Sequence, residues 1–148
     1  MNYMKTKEIL PQAIPSLLGT WYVDRAEVQG LMNYEIIETV TFNVSTGMDE
    51  VTCNFMEENR VDIFLNNKKY NRFRAIKTSY ILADNFLFIE KTNEDDAQLW
   101  EMKHGENTIV LTQNWVTAKD LYNFNTIFDG FKDYQYYNLR LTLRRISE

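Results

Sequence analysis

Apolar and polar residues alternate along most of this chain. From Thr20 onward, short period-two runs are separated by clusters of Gly, Asn, Asp and Ser. That is the pattern of half-buried strands joined by turns. The runs are TWYVDRA, EIIETVTFNV, EVTCNFME, VDIFL, RFRAIKTSYIL, FLFIEK, AQLWEMK, TIVLTQNW and YYNLRLTLRRI. They recur roughly every 8–12 residues, as in all-β sandwiches and barrels. Parity assigns an apolar face to each. The first puts Trp21, Val23 and Arg25 together; the second, Ile36, Glu38, Val40 and Phe42; the third, Val51, Cys53 and Phe55. On the last run Tyr137, Leu139, Leu141 and Leu143 form the inward set and Arg145 continues it, while Arg140 and Arg144 face outward.

Two segments depart from the alternation. Residues 1–18 read as one or two helical turns, interrupted by Pro11 and Pro15. Residues 116–135 are too long for a structureless hairpin loop. Leu121, Phe124, Phe128 and Phe131 recur there at helical spacing, and Thr117 with Asp120 fits a capping box. A short amphipathic helix is expected before the last strand, although Gly130 weakens its final turn. No linker, composition shift or internal repeat divides the chain, so residues 1–148 are expected to form one domain.

Composition adds limits. The chain has 148 residues, long enough to bury a core without a disulfide or metal. Aromatic residues make up 14%, which fits either a thick sheet-built core or a cavity walled by rings. The formal net charge of −5 argues against nucleic acid and anionic membrane surfaces as partners. Cys53 is the single cysteine, expected as a small buried hydrophobe. No apolar run reaches the length of a membrane span, and MNYMKTKEILPQ lacks a signal-peptide core. A cytoplasmic location is expected, or a periplasmic or secreted one if a leader has been removed.

The sequence offers little chemistry. His104, the single His, lies in the polar stretch KHGEN and is expected as an exposed turn residue. A His/Cys cluster and a Gly-rich phosphate loop are both missing, so no metal, nucleotide or other cofactor is expected. Arg25 and Glu38 share the interior face of adjoining strands. They form either a polar handle for a ligand head or a structural ion pair. Trp100, Met102, Leu111, Gln113 and Trp115 share another inward face, either as a pocket wall with one amide or as core packing.

The stretch SLLGTWYV resembles the Gly-x-Trp signature that opens the first strand of lipocalins, and in particular of small bacterial lipocalin-like domains. The stretch TFNVSTG, the strand containing LWEM and the terminal LRLTLRR extend the resemblance over residues 16 to 148. It implies an all-β, up-and-down antiparallel barrel of about eight strands, closed at one end and open at the other. It also implies that Trp21, after Gly19, plugs the closed end beneath an Arg of the last strand. Parity selects Arg145 for that role, with Arg144 as the alternative. Two features depart from the family: nine runs where a closed meander needs an even number, with VDIFL the weakest, and a helix before the last strand.

The expected function is binding of a small apolar or amphipathic molecule inside the barrel. Arg25, Glu38, Phe42, Phe55, Trp100, Met102, Gln113, Trp115, Phe124, Phe128 and Tyr137 are its candidate contacts, with the inserted helix as a lid over the mouth. The alternatives are a filled barrel serving as an inhibitor- or immunity-type interaction module, and a metal-free cyclase or isomerase using the cavity.

Overall fold

The computed structural model of the chain describes residues 17–46, 49–68, 71–117 and 133–146. Within them lie β1 (Gly19–Met32), β2 (Glu35–Phe42), β3 (Asp49–Met56), β4 (Arg60–Asn67), β5 (Arg72–Ala83), β6 (Phe86–Ile89), β7 (Gln98–His104), β8 (Thr108–Val116) and β9 (Tyr136–Arg145). The remaining regular element among the described residues is a single 3-10 turn, Val44–Thr46. The two expected helices fall mainly at residues 1–16 and 118–132, outside the described residues. Their expected ends are corrected: Leu17 and Leu18 are not helical, Val116 is the last residue of β8, and residues 133–135 are irregular.

All strand pairs are antiparallel, and β9 returns along β1 from Trp21–Arg145 to Leu31–Tyr136. That pairing closes the sheet into a barrel of eight strands with one extra. The odd count has a simple cause. β2 and β3 both pair antiparallel with the same edge of β1. β2 runs along its upper half, from Met32 to Ala26, and β3 along its lower half, from Tyr22 to Gly19. They point the same way and form one stave, broken at Val44–Thr46. VDIFL, read as the weakest run, is the centre of β4 and pairs along its full length with β3 and β5. The stretch TFNVSTG is therefore a break within a stave rather than a hairpin.

β1 also runs further than its sequence pattern indicated. The segment EVQGLM, beyond the run TWYVDRA, continues the strand, and the β1–β2 turn is Asn33-Tyr34. Both turn residues have positive φ, 52° and 65°. This is the backbone of a two-residue hairpin turn that matches the twist of its strands.

Inward side chains pack into one cluster. It includes Val23, Val28, Phe55, Ile63, Leu87, Trp100, Met102, Leu111, Tyr137 and Leu141, all buried. Phe55 and Tyr80 meet edge to face at 5.1 Å. Cys53 lies within this cluster, and burial pushes its thiol up to about 12. It is an inert part of the core.

A β-bulge between Val23 and Arg25 changes the parity of β1. Beyond it Ala26, Val28 and Gly30 are buried, and Arg25 is exposed. The expected Arg25–Glu38 pair inside the barrel is thus corrected: one extra residue sends Arg25 to the outer face. The bulged residue, Asp24, has its own role. Its carboxylate accepts hydrogen bonds from Ser45 Oγ at 2.6 Å and Arg144 Nε at 2.8 Å. These tie the bulge to the broken stave and to β9. The bonds from Ser45 and Arg144 hold the Asp24 carboxyl below its ordinary value.

A folded-state value below the unfolded one stabilises the fold above the unfolded value of about 3.9. That contribution fades as pH falls through the folded-state value. Asp24→Asn is therefore expected to lower the urea midpoint at neutral pH, with the gap to the parent narrowing at an acidic pH below the ordinary carboxylate value. A gap of constant size at both pH values would show that the carboxylate charge is not the source.

Candidate functional site

The barrel's lower end is sealed. Trp21 is fully buried, and its Nε1–H donates to the Leu17 carbonyl at 2.9 Å. The Arg145 guanidinium lies over its ring, 4.2 Å from the centroid, and Arg145 Nη1 donates to the Leu18 carbonyl at 2.8 Å. Gly19 makes this approach possible. Its φ is +120°, and a Cβ there would sit 2.9 Å from Arg145 Nη1. Gly before Trp is thus needed twice, for the backbone angle and for the guanidinium. His104 is corrected from an exposed turn residue to the half-buried end of β7. Its ring meets Trp21 edge-on at 5.9 Å, and Nδ1 lies 2.7 Å from the Gly105 carbonyl.

At the upper end, Glu38, Val40 and Phe42 lie opposite Gly30, Val28 and Ala26, so all three face inward. They are only half-buried. Glu38 is engaged by a residue the sequence reading did not single out: the Tyr134 O–H donates to its carboxylate. That bond and the adjacent negative charge push the Tyr134 phenol above its ordinary value. The Tyr134 ring lies against the bare Cα of Gly30, where a Cβ would come within 2.2 Å of it. Tyr134 N–H donates to Tyr137 Oη at 2.9 Å, and Gln135 N–H to the Leu31 carbonyl at 3.1 Å. The chain entering β9 is therefore stitched to the β1–β2 hairpin.

Between these ends the wall parts. β7 and β8 pair from His104–Ile109 up to Glu101–Thr112 and no further. Above that level, Gln98, Leu99 and Trp100 pair with β6, while Gln113 and Val116 pair with β9. A register shift between Gln113 and Val116 draws β8 away. Gln113 Nε2 bridges the two lips, donating to the Leu99 carbonyl at 2.9 Å. The slot so formed has a volume of ≈ 470 Å³ and opens on the outer wall. Phe86, Leu99, Trp115 and Val116 supply its apolar lining; Gln98, Gln113 and Asn114 add amides, and Glu101 a carboxylate.

Trp115 is corrected from an inward to an outward position by this bulge. It has φ +60° and is 48% exposed. A left-handed conformation at a bulky residue costs about 1–3 kcal/mol. The site offsets this with the Trp115 N–H donated to Asn138 Oδ1 at 3.2 Å and with two ring contacts. Tyr34 and Tyr136 each lie 5.6 Å from the Trp115 ring, centroid to centroid.

The candidate contacts therefore separate. Gln113 and Trp115 meet at the slot. Glu38 and Phe42 face the upper interior. Phe55, Trp100, Met102 and Tyr137 are buried in the core, and Arg25 is on the outer face. Phe124 and Phe128, with the lid proposed for them, lie outside the described residues. Among the described residues, no three His, Cys, Asp or Glu side chains come together as a metal site, and no helix is long and apolar enough to cross a membrane. Comparison of the chain with protein-family models, with curated proteins and with solved structures finds no match.

Proposed function

We propose that this chain is a lipocalin-like barrel that binds a small amphipathic molecule, and that the parted wall between β7 and β8 is where the molecule is held. The closed antiparallel barrel and its Trp–Arg floor support the family reading. The observation that carries the binding reading is the slot. Its volume falls within the ~300–1,000 Å³ usual for ligand sites. Its lining is mostly polar, with Gln98, Gln113, Asn114 and Glu101 set around Phe86, Leu99 and Trp115, so it can fix the polar end of a molecule and give its apolar part a partial seat. Among the described residues, the inward side chains pack into one buried cluster, and partly exposed apolar groups lie at the slot and at the half-buried mouth.

Titration with the neutral fluorophore N-phenyl-1-naphthylamine tests this. One molecule should bind per chain, quench Trp115 and shift the amide signals of Leu99 and Gln113. Native mass spectrometry of protein taken from its source should then show a retained small molecule that the fluorophore displaces. Saturating fluorophore with no shift at the slot residues would end this reading.

A second reading, a module that binds a protein partner, is favoured by the β1–β2 hairpin. Tyr34 and Ile37 are both more than half exposed there, and exposed apolar groups can contribute to interaction surfaces. A barrel that retains no small molecule and takes up no fluorophore would move the assignment to this reading.

A further inference from the structure

We infer that the molecule held at the slot is an organic cation, an ammonium group on an apolar or aromatic body, with the cation seated at Trp115. The inference rests on the slot being a binding site, and three observations give it its chemistry. First, the backbone is strained to turn the largest ring available outward. Trp115 holds a left-handed φ of 60° within a bulge, and strain of this kind concentrates at binding sites. Second, the ring is enclosed on two sides. Tyr34 meets it tilted at 60° and Tyr136 edge-on at 77°, both with centroids 5.6 Å away. The two tyrosines hold the Trp115 ring from outside the slot, and Trp115 itself presents to the slot the ring type that attracts a cation most strongly.

Third, the charge around the slot has one sign. Among the described residues of the lining, Glu101 is the charged one and there is no Lys or Arg. The loop that leads into it through Ala97 carries Glu94, Asp95 and Asp96, and Glu94 and Asp96 are exposed. Asp95 is engaged by Arg74 and by the Thr92 hydroxyl. Lys103 and Arg140 line an adjoining groove together with Glu27 and Glu101. Of these four residues only Glu101 also lines the slot, so the slot's described lining carries one negative group and no positive one. An anion entering it would meet the Glu101 carboxylate.

The test compares three probes of similar size: benzyltrimethylammonium, neutral benzyl alcohol and anionic benzenesulfonate. Binding is read from the Trp115 indole N–H signal and from tryptophan fluorescence. The cation should bind roughly 3- to 30-fold more tightly than the alcohol, and the sulfonate should not bind. Glu101→Gln, an exposed substitution that leaves the core untouched, should weaken the cation about two- to fivefold without changing the alcohol. Trp115→Leu should abolish the preference for the cation while near-ultraviolet circular dichroism shows the barrel intact. If the alcohol binds as tightly as the cation, the inference falls and the slot remains a ligand site. If no probe moves the Trp115, Leu99 or Gln113 signals, the slot itself is not a site.

Discussion

Trp21→Ala is expected to lower the unfolding free energy by about 3–5 kcal/mol, the usual cost of removing a fully buried large ring. The size of the effect follows from what converges on the indole. It fills the narrow end of an eight-stave barrel, where no neighbour can collapse into the space. Its N–H satisfies the Leu17 carbonyl, and its face supports the Arg145 guanidinium. Ala leaves the carbonyl without its donor and removes the cation–π contact, worth about 0.5–2 kcal/mol. Trp21→Phe should cost clearly less, because most of the volume stays and only the N–H and part of the face are lost. Equilibrium unfolding in urea measures both. A loss under about 1 kcal/mol for Trp21→Ala would show that the floor is not closed as described.

The floor was readable from sequence because the Gly-x-Trp resemblance implied it and parity over a short, unbroken run selected Arg145. Trp21 lies near the start of β1 and Arg145 ends β9, and no irregularity separates Arg145 from the alternation of Leu139, Leu141 and Leu143. The sites above the floor were less readable, for a single physical cause. Parity propagates only until an extra residue is inserted, and then every later assignment on that strand reverses. β1 carries such a residue at Asp24, which moves Arg25 outward and Ala26 inward. β8 carries another irregularity at Asn114-Trp115, which moves Trp115 outward and Val116 inward. Neither site contains a Gly to announce it. Asp24 is held by Ser45 and Arg144, and Trp115 by Asn138, partners 21, 120 and 23 residues away. Side chains that fix a bulge from such distances leave no local pattern.

The broken stave misled for a related reason. The stretch STG has the composition of a turn, and it does interrupt the strand. A turn that reverses the chain and one that only kinks it share the same residues. What separates them is the pairing of both flanking strands with one edge of β1, a long-range fact. Gly30 is different, because a signal was present. A Gly inside a strand commonly marks a close approach by another group. EVQGLM alternates well enough to be strand, and its Gly pointed to a ring that the sequence could not identify. That ring belongs to Tyr134, more than a hundred residues later in the chain.

Gly30→Ala is accordingly expected to destabilise the protein by about 1–3 kcal/mol, as overpacking does. The backbone is not the cause. Among the glycines, positive φ is recorded at Gly19 and not at Gly30, so Ala is conformationally acceptable there. The obstacle is the Tyr134 ring, whose Cγ, Cδ2 and Cε2 would lie 2.2 to 2.5 Å from the new Cβ. Those atoms begin at the root of the ring, so the side chain must leave as a unit. Its hydroxyl then releases Glu38, and the stitch between the entry to β9 and the β1–β2 hairpin loosens. Glu38 gains a free carboxylate at the barrel mouth. The ionisation of the phenol should respond as well. Freed from Glu38, Tyr134 loses the cause that raises its value, and an ultraviolet titration of the tyrosines should show one group moving toward the ordinary range. A double-mutant cycle separates the steric cause from any other. With Tyr134→Ala already in place, adding Gly30→Ala should cost little or become stabilising, since the strand then gains a better backbone without a clash. Equal costs for Gly30→Ala in the two backgrounds would show that Tyr134 does not occupy the space above Gly30.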